Sequence, residues 1–177
     1  MRSLALLCSV MLLAAPQVAA AQAGAPCLTA REFTALSTYA LPSVIAGTTR
    51  ACATTLPASA YLQRSGAELA QRYAAGKPKA WPEAKAAFLK MASAKDQGSA
   101  QLFATMPDDA LQQIADAAFA GIVTGQVKPD SCSTIDRVVS LLAPLPAENT
   151  AELIALAAGL GSRAGQPKLG ALTICKA

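Results

Sequence analysis

Ten prolines beyond residue 25 set the scale on which this chain can build structure: Pro26, Pro42, Pro57, Pro78, Pro82, Pro107, Pro129, Pro144, Pro146 and Pro167. Proline has no backbone N–H and its ring collides with the preceding turn, so it suits the first turn of a helix and disrupts the interior. Most stretches between these prolines run 10 to 25 residues and are rich in Ala, Leu, Gln, Glu and Lys, all good helix formers. Apolar residues within them recur at i, i+3, i+4 and i+7, the period of a helix with one buried face. Strand-like alternation of useful length is missing. The expectation is an all-α protein, a compact and irregular bundle of six to eight short helices.

The elements follow from local signals. Thr29-Ala30-Arg31-Glu32 spells a capping box, and Phe33, Leu36, Ala40 and Leu41 form the stripe behind it. Pro42 is expected to end that helix and start a second short one reaching Cys52. Pro57 should open a helix with Leu62, Ser65, Leu69 and Tyr73 on one face, an i,i+4 pair of Glu68 and Arg72 on the other, and Gly76 as its stop. Pro82 should open the next, carrying Ala84, Ala87, Phe88 and Met91, with Trp81 buried at its start. A short helix holding Leu102 and Phe103 leads to Pro107. Beyond it, Leu111, Ile114, Ala115, Ala118 and Ile122 face one way, while Asp108, Asp109 and Asp116 face the other as a solvated acidic strip. Asp130 or Ser131 is placed to cap a helix through Ile135, Val138, Val139 and Leu142. Asn149-Thr150-Ala151-Glu152 reads as a second capping box before Leu153, Ile154 and Leu156, with Gly159 and Gly161 ending that helix. The apolar tail 169–175 is predicted to be a short extended segment tied back by a disulfide.

The N-terminus reads as an address. Met1-Arg2-Ser3 is a short positive start, residues 4–15 are a 12-residue apolar run, and small residues follow Pro16. This is the pattern of a secretory signal peptide, and the run is too short to span ~30 Å of hydrocarbon. Residues 1–21 are assigned to the signal and 22–177 to a single helical domain, with cleavage after Ala21 favoured over Ala23. The expected destination is the periplasm or the outside medium of a bacterium, a source also suggested by the Ala-rich, Asn-poor composition.

Removing Cys8 with the signal leaves Cys27, Cys52, Cys132 and Cys175, an even number that in an exported chain marks disulfides. Three pairings are available. Cys27–Cys52 with Cys132–Cys175 is preferred because each pair is close in sequence. Metal binding and dithiol redox catalysis fit poorly, since no CxxC spacing occurs and the chain has no His.

The missing His also removes Ser-His-Asp and Cys-His nucleophile systems and His-ligated zinc or haem. No polybasic block supplies a footprint for nucleic acid. Neither a cofactor nor a metal is expected. Gly159 to Gly165 spells GxGxxxG, one residue out of register for a dinucleotide loop and following a helix rather than a strand. One feature stands above background. Residues 64–95 carry a net charge of +5 and residues 96–152 a net charge of −6. Arg64, Arg72, Lys77, Lys79, Lys85 and Lys90 are therefore the candidate surface for an anionic partner, an acidic protein or envelope component. The competing explanation is that the two regions attract each other and pack. The functional expectation is a non-enzymatic exported binding module. One alternative is a carrier of a small apolar ligand in the helical core. The other is a His-free hydrolase using carboxylates such as Asp108, Asp109 and Asp116, or a Ser-Lys pair.

Overall fold

The computed structural model describes residues 27–163 and 173–175. The signal segment lies outside the described residues, as does most of the tail. Among the described residues the protein is all-helical. The elements are β1 (Cys27–Leu28), α1 (Ala30–Ala51), α2 (Tyr61–Ala74), α3 (Lys77–Lys95), α4 (Gln97–Thr105) and α5 (Asp108–Gln126). A 3-10 turn at Pro129–Ser131 follows, then α6 (Cys132–Leu142), α7 (Ala147–Arg163) and β2 (Thr173–Ile174). The two strands pair in parallel, Cys27 beside Thr173 and Leu28 beside Ile174. The Cys175 N–H donates to the Leu28 carbonyl at 2.8 Å. The extended tail is thus present in residues 173–174.

The capping box holds. Thr29 Oγ1 accepts from the Glu32 N–H at 3.2 Å, and Glu32 Oε2 accepts from the Thr29 N–H at 2.8 Å. From this start α1 runs unbroken for 22 residues. It packs against α2, α3, α5 and α7, and is buried on several sides rather than along one stripe. Its N-terminal half supplies Phe33, Leu36 and Tyr39 to a core with Trp81, Ala84 and Ala87 of α3 and Leu111 and Ala115 of α5. Its C-terminal half supplies Leu41 and Ile45 to a second core with Leu62, Leu69 and Tyr73 of α2, Ala143 and Ala151. Small residues permit the close approaches. A Cβ on Gly47 would stand 2.9 Å from the Ala120 carbonyl oxygen of α5.

Two prolines expected to start helices lie inside them instead. Pro42 is within α1 and Pro82 within α3. An interior proline costs ~3 kcal/mol or more through its lost hydrogen bond and ring clash. On α1 the flanking turns bury Tyr39, Ala40, Leu41 and Ile45, and this packing holds the helix together across Pro42. On α3 the helix begins earlier, at Lys77 with Pro78 in its first turn, so Trp81 is buried in the helix interior rather than at its start. The second capping box is not used: α7 starts at Ala147, and the Thr150 hydroxyl pairs with the Tyr73 hydroxyl at 3.0 Å. Gly159 and Gly161 do not stop α7, which continues to Arg163.

The disulfide pairing is corrected. The bridges are Cys27–Cys175 and Cys52–Cys132, spanning 148 and 80 residues. The reason is α1 itself. At 1.5 Å per residue, its 22 residues make a rod about 33 Å long with Cys27 before one end and Cys52 capping the other. A bridge needs Cα atoms within roughly 7 Å, so Cys27 and Cys52 cannot meet while the helix exists.

Two outcomes follow. Cys52 and Cys132 are fully buried, whereas Cys27 and Cys175 are partly accessible. Mild reductant should therefore open Cys27–Cys175 first, and alkylation with peptide mapping should find label at residues 27 and 175 while 52–132 stays intact. Gly47→Ala should destabilise by about 1–3 kcal/mol in denaturant melts, because backbone, not a movable side chain, occupies the space.

Candidate functional site

Helix α3 carries Lys77, Lys79, Lys85 and Lys90 outward from the Trp81, Ala84 and Ala87 face that enters the core. Each lysine meets a carboxylate from another helix. Lys77 Nζ reaches Asp116 of α5 at 2.5 Å and Lys85 reaches Asp108 of α5 at 2.6 Å. Lys79 reaches Glu148 of α7 at 2.8 Å, and Lys90 reaches Glu32 of α1 at 2.6 Å. Arg31 of α1 pairs in the reverse sense with Glu83 of α3. Three of these pairs, Lys77–Asp116, Lys79–Glu148 and Lys85–Asp108, join the basic segment 64–95 to the acidic segment 96–152 inside the fold. Of the six cationic residues expected to face an anionic partner, Arg64 and Arg72 lack an ion-pair partner among the described residues. Arg72 does not pair with Glu68. Its guanidinium donates to the Ala143 carbonyl at 2.8 Å, gripping the turn between α6 and α7.

The Lys77–Asp116 pair is the centre of a polar cluster. The Lys77 side chain is 19% exposed, and its Nζ lies 4.4 Å over the Tyr39 ring, a cation–π contact. Asp116 also accepts from the Ser43 hydroxyl of α1 at 3.1 Å. Tyr39 donates to the Gln112 carbonyl at 3.2 Å and stacks obliquely on Trp81, with ring centroids 4.9 Å apart. Burial, with the negative charge of Asp116 beside it, raises the Tyr39 phenol well above its usual pKa. Asp116 is therefore not part of a solvated strip, as its position opposite Leu111 and Ala115 implied. It sits where α1, α3 and α5 meet. Asp108 and Asp109 stay on the outer side; Asp108 is held below the ordinary carboxylate range by Lys85 first and by the nearby Trp81 indole second. That indole N–H is buried without closing a hydrogen bond of good geometry.

A serine and a lysine share one carboxylate here, but the arrangement is not that of an activated nucleophile. The Asp116 carboxylate accepts from the Lys77 ammonium and the Ser43 hydroxyl together, so the two meet through it rather than directly. Ser43 lines neither of two surface hollows. One is a shallow groove of about 430 Å³ between α3 and α4, lined by Leu89, Lys90 and Gln101. The other is a cleft of about 530 Å³ between the α2–α3 junction and the α6–α7 turn, walled by Tyr73, Pro144, Leu145 and Pro146, with Arg72 and Glu148 at its rim. Both open to solvent, and neither is the enclosed apolar chamber that a core-held ligand would need. Among the described residues no cluster of His, Cys, Asp and Glu could hold a metal ion.

Two capping carboxylates escaped the sequence reading. Asp136 of α6 accepts from the Tyr61 and Leu62 N–H groups at 3.2 and 2.7 Å, capping α2 from another helix. Asp96 caps α4 by accepting from the Ser99 N–H at 2.7 Å. Asp96 sits at the expected spacing and was readable; a cap supplied from 75 residues away has no local signature.

The surface feature the charge pattern concealed is apolar. Val138 and Leu141 of α6, and Leu153 and Leu156 of α7, stand in solvent, Leu141 at 68% and Leu156 at 64% exposed. Each pair is spaced i,i+3 on its helix. The turn of residues 143–146 that joins α6 to α7 also forms one wall of the larger cleft.

Asp116→Ala should cost about 2 kcal/mol, since it strands both Lys77 and Ser43, whereas Ser43→Ala should cost about half that in the same urea titration. Acid should weaken the fold with a definite sign. Lys90 first, then the Thr29 N–H, holds Glu32 below its ordinary value of 4.5. The stabilisation from Glu32 is complete above that value and disappears as pH falls through the lowered folded pKa. Glu32→Gln should flatten the loss of melting temperature below pH 5. Compared with protein-family models, with curated protein sequences and with solved structures, the chain finds no match in any of the three.

Proposed function

We propose that this chain works outside the cytoplasm as a rigid, non-enzymatic helical module that binds a partner protein. The signal pattern of residues 1–21 and the two disulfides support export. No helix of the described residues is long and apolar enough to cross a membrane.

The observation that carries the binding reading is the set of large aliphatic side chains left outside on α6 and α7, Val138, Leu141, Leu153 and Leu156, on the two helices whose joining turn walls a cleft lined also by Arg72. Single exposed leucines are ordinary on protein surfaces, but repeated i,i+3 pairs on consecutive helices are the footprint of a docked partner. The partner class is an acidic protein or envelope component that meets apolar side chains and offers a carboxylate to Arg72 or Arg64. The lysines of α3 contribute little to this encounter because they already face carboxylates of the same chain. Recognition is therefore mainly apolar, with a modest electrostatic component.

A photo-crosslinking residue at position 141 should capture a discrete partner in intact cells, and Leu156→Glu should abolish that capture without changing the circular dichroism or melting temperature. Raising salt from 50 to 500 mM, roughly from one Debye length of ~14 Å to one of ~4 Å, should weaken the association no more than a few-fold. An association that vanishes in salt, with Leu141→Glu and Leu156→Glu binding normally, would overturn the reading.

A further inference from the structure

The native bridges are nested: the first cysteine joins the last, and the second joins the third. The closest pair in the mature sequence, Cys27 and Cys52, is separated by 25 residues and is not joined. Loop-closure probability falls roughly as the −3/2 power of length, so in the unfolded chain the 25-residue closure is favoured about 14-fold over the 148-residue closure to Cys175 and about 6-fold over the 80-residue closure from Cys52 to Cys132. A chain emerging N-terminus first also presents Cys27 and Cys52 to an oxidant before Cys132 and Cys175 exist outside.

The early bridge is not a harmless detour. Cys52 caps α1 and Cys27 lies two residues before its N-cap, so a Cys27–Cys52 bond requires α1 to be bent or unmade. Helix α1 bridges both cores, and neither can assemble around it in that state. Once Cys132 pairs with Cys175, the second-shortest closure of consecutive cysteines, no thiol remains to begin a rearrangement.

We infer that this chain is a substrate for thiol–disulfide isomerisation, its native bridges being reached by way of a non-native Cys27–Cys52 bond that an external thiolate must open. The exchange needs no net oxidant. An external thiolate, from a small thiol such as glutathione or from a dithiol isomerase, attacks Cys52 Sγ and forms a mixed disulfide there, releasing the Cys27 thiolate. That thiolate attacks Cys175 Sγ, forming Cys27–Cys175 and releasing the Cys132 thiolate. The Cys132 thiolate then attacks Cys52 Sγ, forming Cys52–Cys132 and expelling the external thiolate unchanged. Folding drives the sequence forward, since it buries Cys52 and Cys132 completely.

This inference rests on the reading of the chain as exported to an oxidising compartment, but its test does not. The full chain carrying Cys8→Ser is reduced in denaturant and diluted into a thiol-free oxidant, with or without reduced glutathione. Bridges are mapped by non-reducing peptide mass spectrometry. Oxidant alone should accumulate Cys27–Cys52 and give about tenfold less native pairing than the glutathione arm, in line with the closure ratio. Adding glutathione to the trapped product should convert it to Cys27–Cys175 and Cys52–Cys132. In a second variant, Cys27→Ser with Cys175→Ser, the competing closure is gone, and the Cys52–Cys132 bridge should form equally with and without glutathione. Native pairs that form as fast and as fully without thiol, or a second variant that still needs thiol, would overturn the inference. Either result would leave export itself untouched, and a chain retained in the cytoplasm would leave the measured pairing chemistry intact.

Discussion

Helix α1 is the constraint on which the remaining structure depends. It is buried on several sides, it touches four other helices, and the two apolar cores lie one on each half of its length. Its sequence is poorly suited to standing alone, because Pro42 removes a hydrogen bond from its middle and Ser43, Thr48 and Thr49 are indifferent helix formers. Its stability is tertiary: aromatic and aliphatic side chains on every face, a capping box at one end and a disulfide at each end. The Ala-rich neighbours matter for the same reason. Gly47 lets the α5 backbone at Ala120 come against α1, and Gly66 of α2 leaves room for the Thr49 side chain.

The ion pairs add orientation to this packing. Apolar stripes on Ala-rich helices are nearly smooth and would tolerate sliding or rotation of one helix on another. The lysines of α3 fix its rotation and height against α1, α5 and α7 at four separate points. Most of these pairs are too exposed to contribute much stability individually. Lys77–Asp116 and Lys90–Glu32 are the more enclosed, the first completed by Ser43 and the Tyr39 ring, the second by Thr29.

Much of the architecture was readable because it rests on local rules. The helical period, the Thr29–Glu32 box, the acidic first turn at Asp108 and the extended tail depend on residues within a turn or two of each other. The misreadings share one origin, the overriding of local preference by packing. Pro42 is a helix breaker by propensity, and taking it as one makes α1 two short helices that could fold back and bring Cys27 to Cys52. A single continuous rod forbids that bridge, which closeness in sequence, the ground for pairing Cys27 with Cys52, could not register. Asn149 lost its role because Pro146 starts α7 earlier and Thr150 is needed by Tyr73. Asp116 looked solvated because periodicity reports which face of a helix is apolar and not whether another helix lies across the polar one. Val138, Leu153 and Leu156 were misjudged for the complementary reason: the apolar pattern marks them as core, and only the packed structure shows them outside.

The bond between Cys27 and Cys175, with β1 lying along β2, turns the described body into a closed ring of peptide and sulfur. If the chain is ever tethered by one extremity and pulled by the other, the mechanical load passes directly across that single S–S link. None of the seven helices among the described residues would feel the tension until the link itself was reduced.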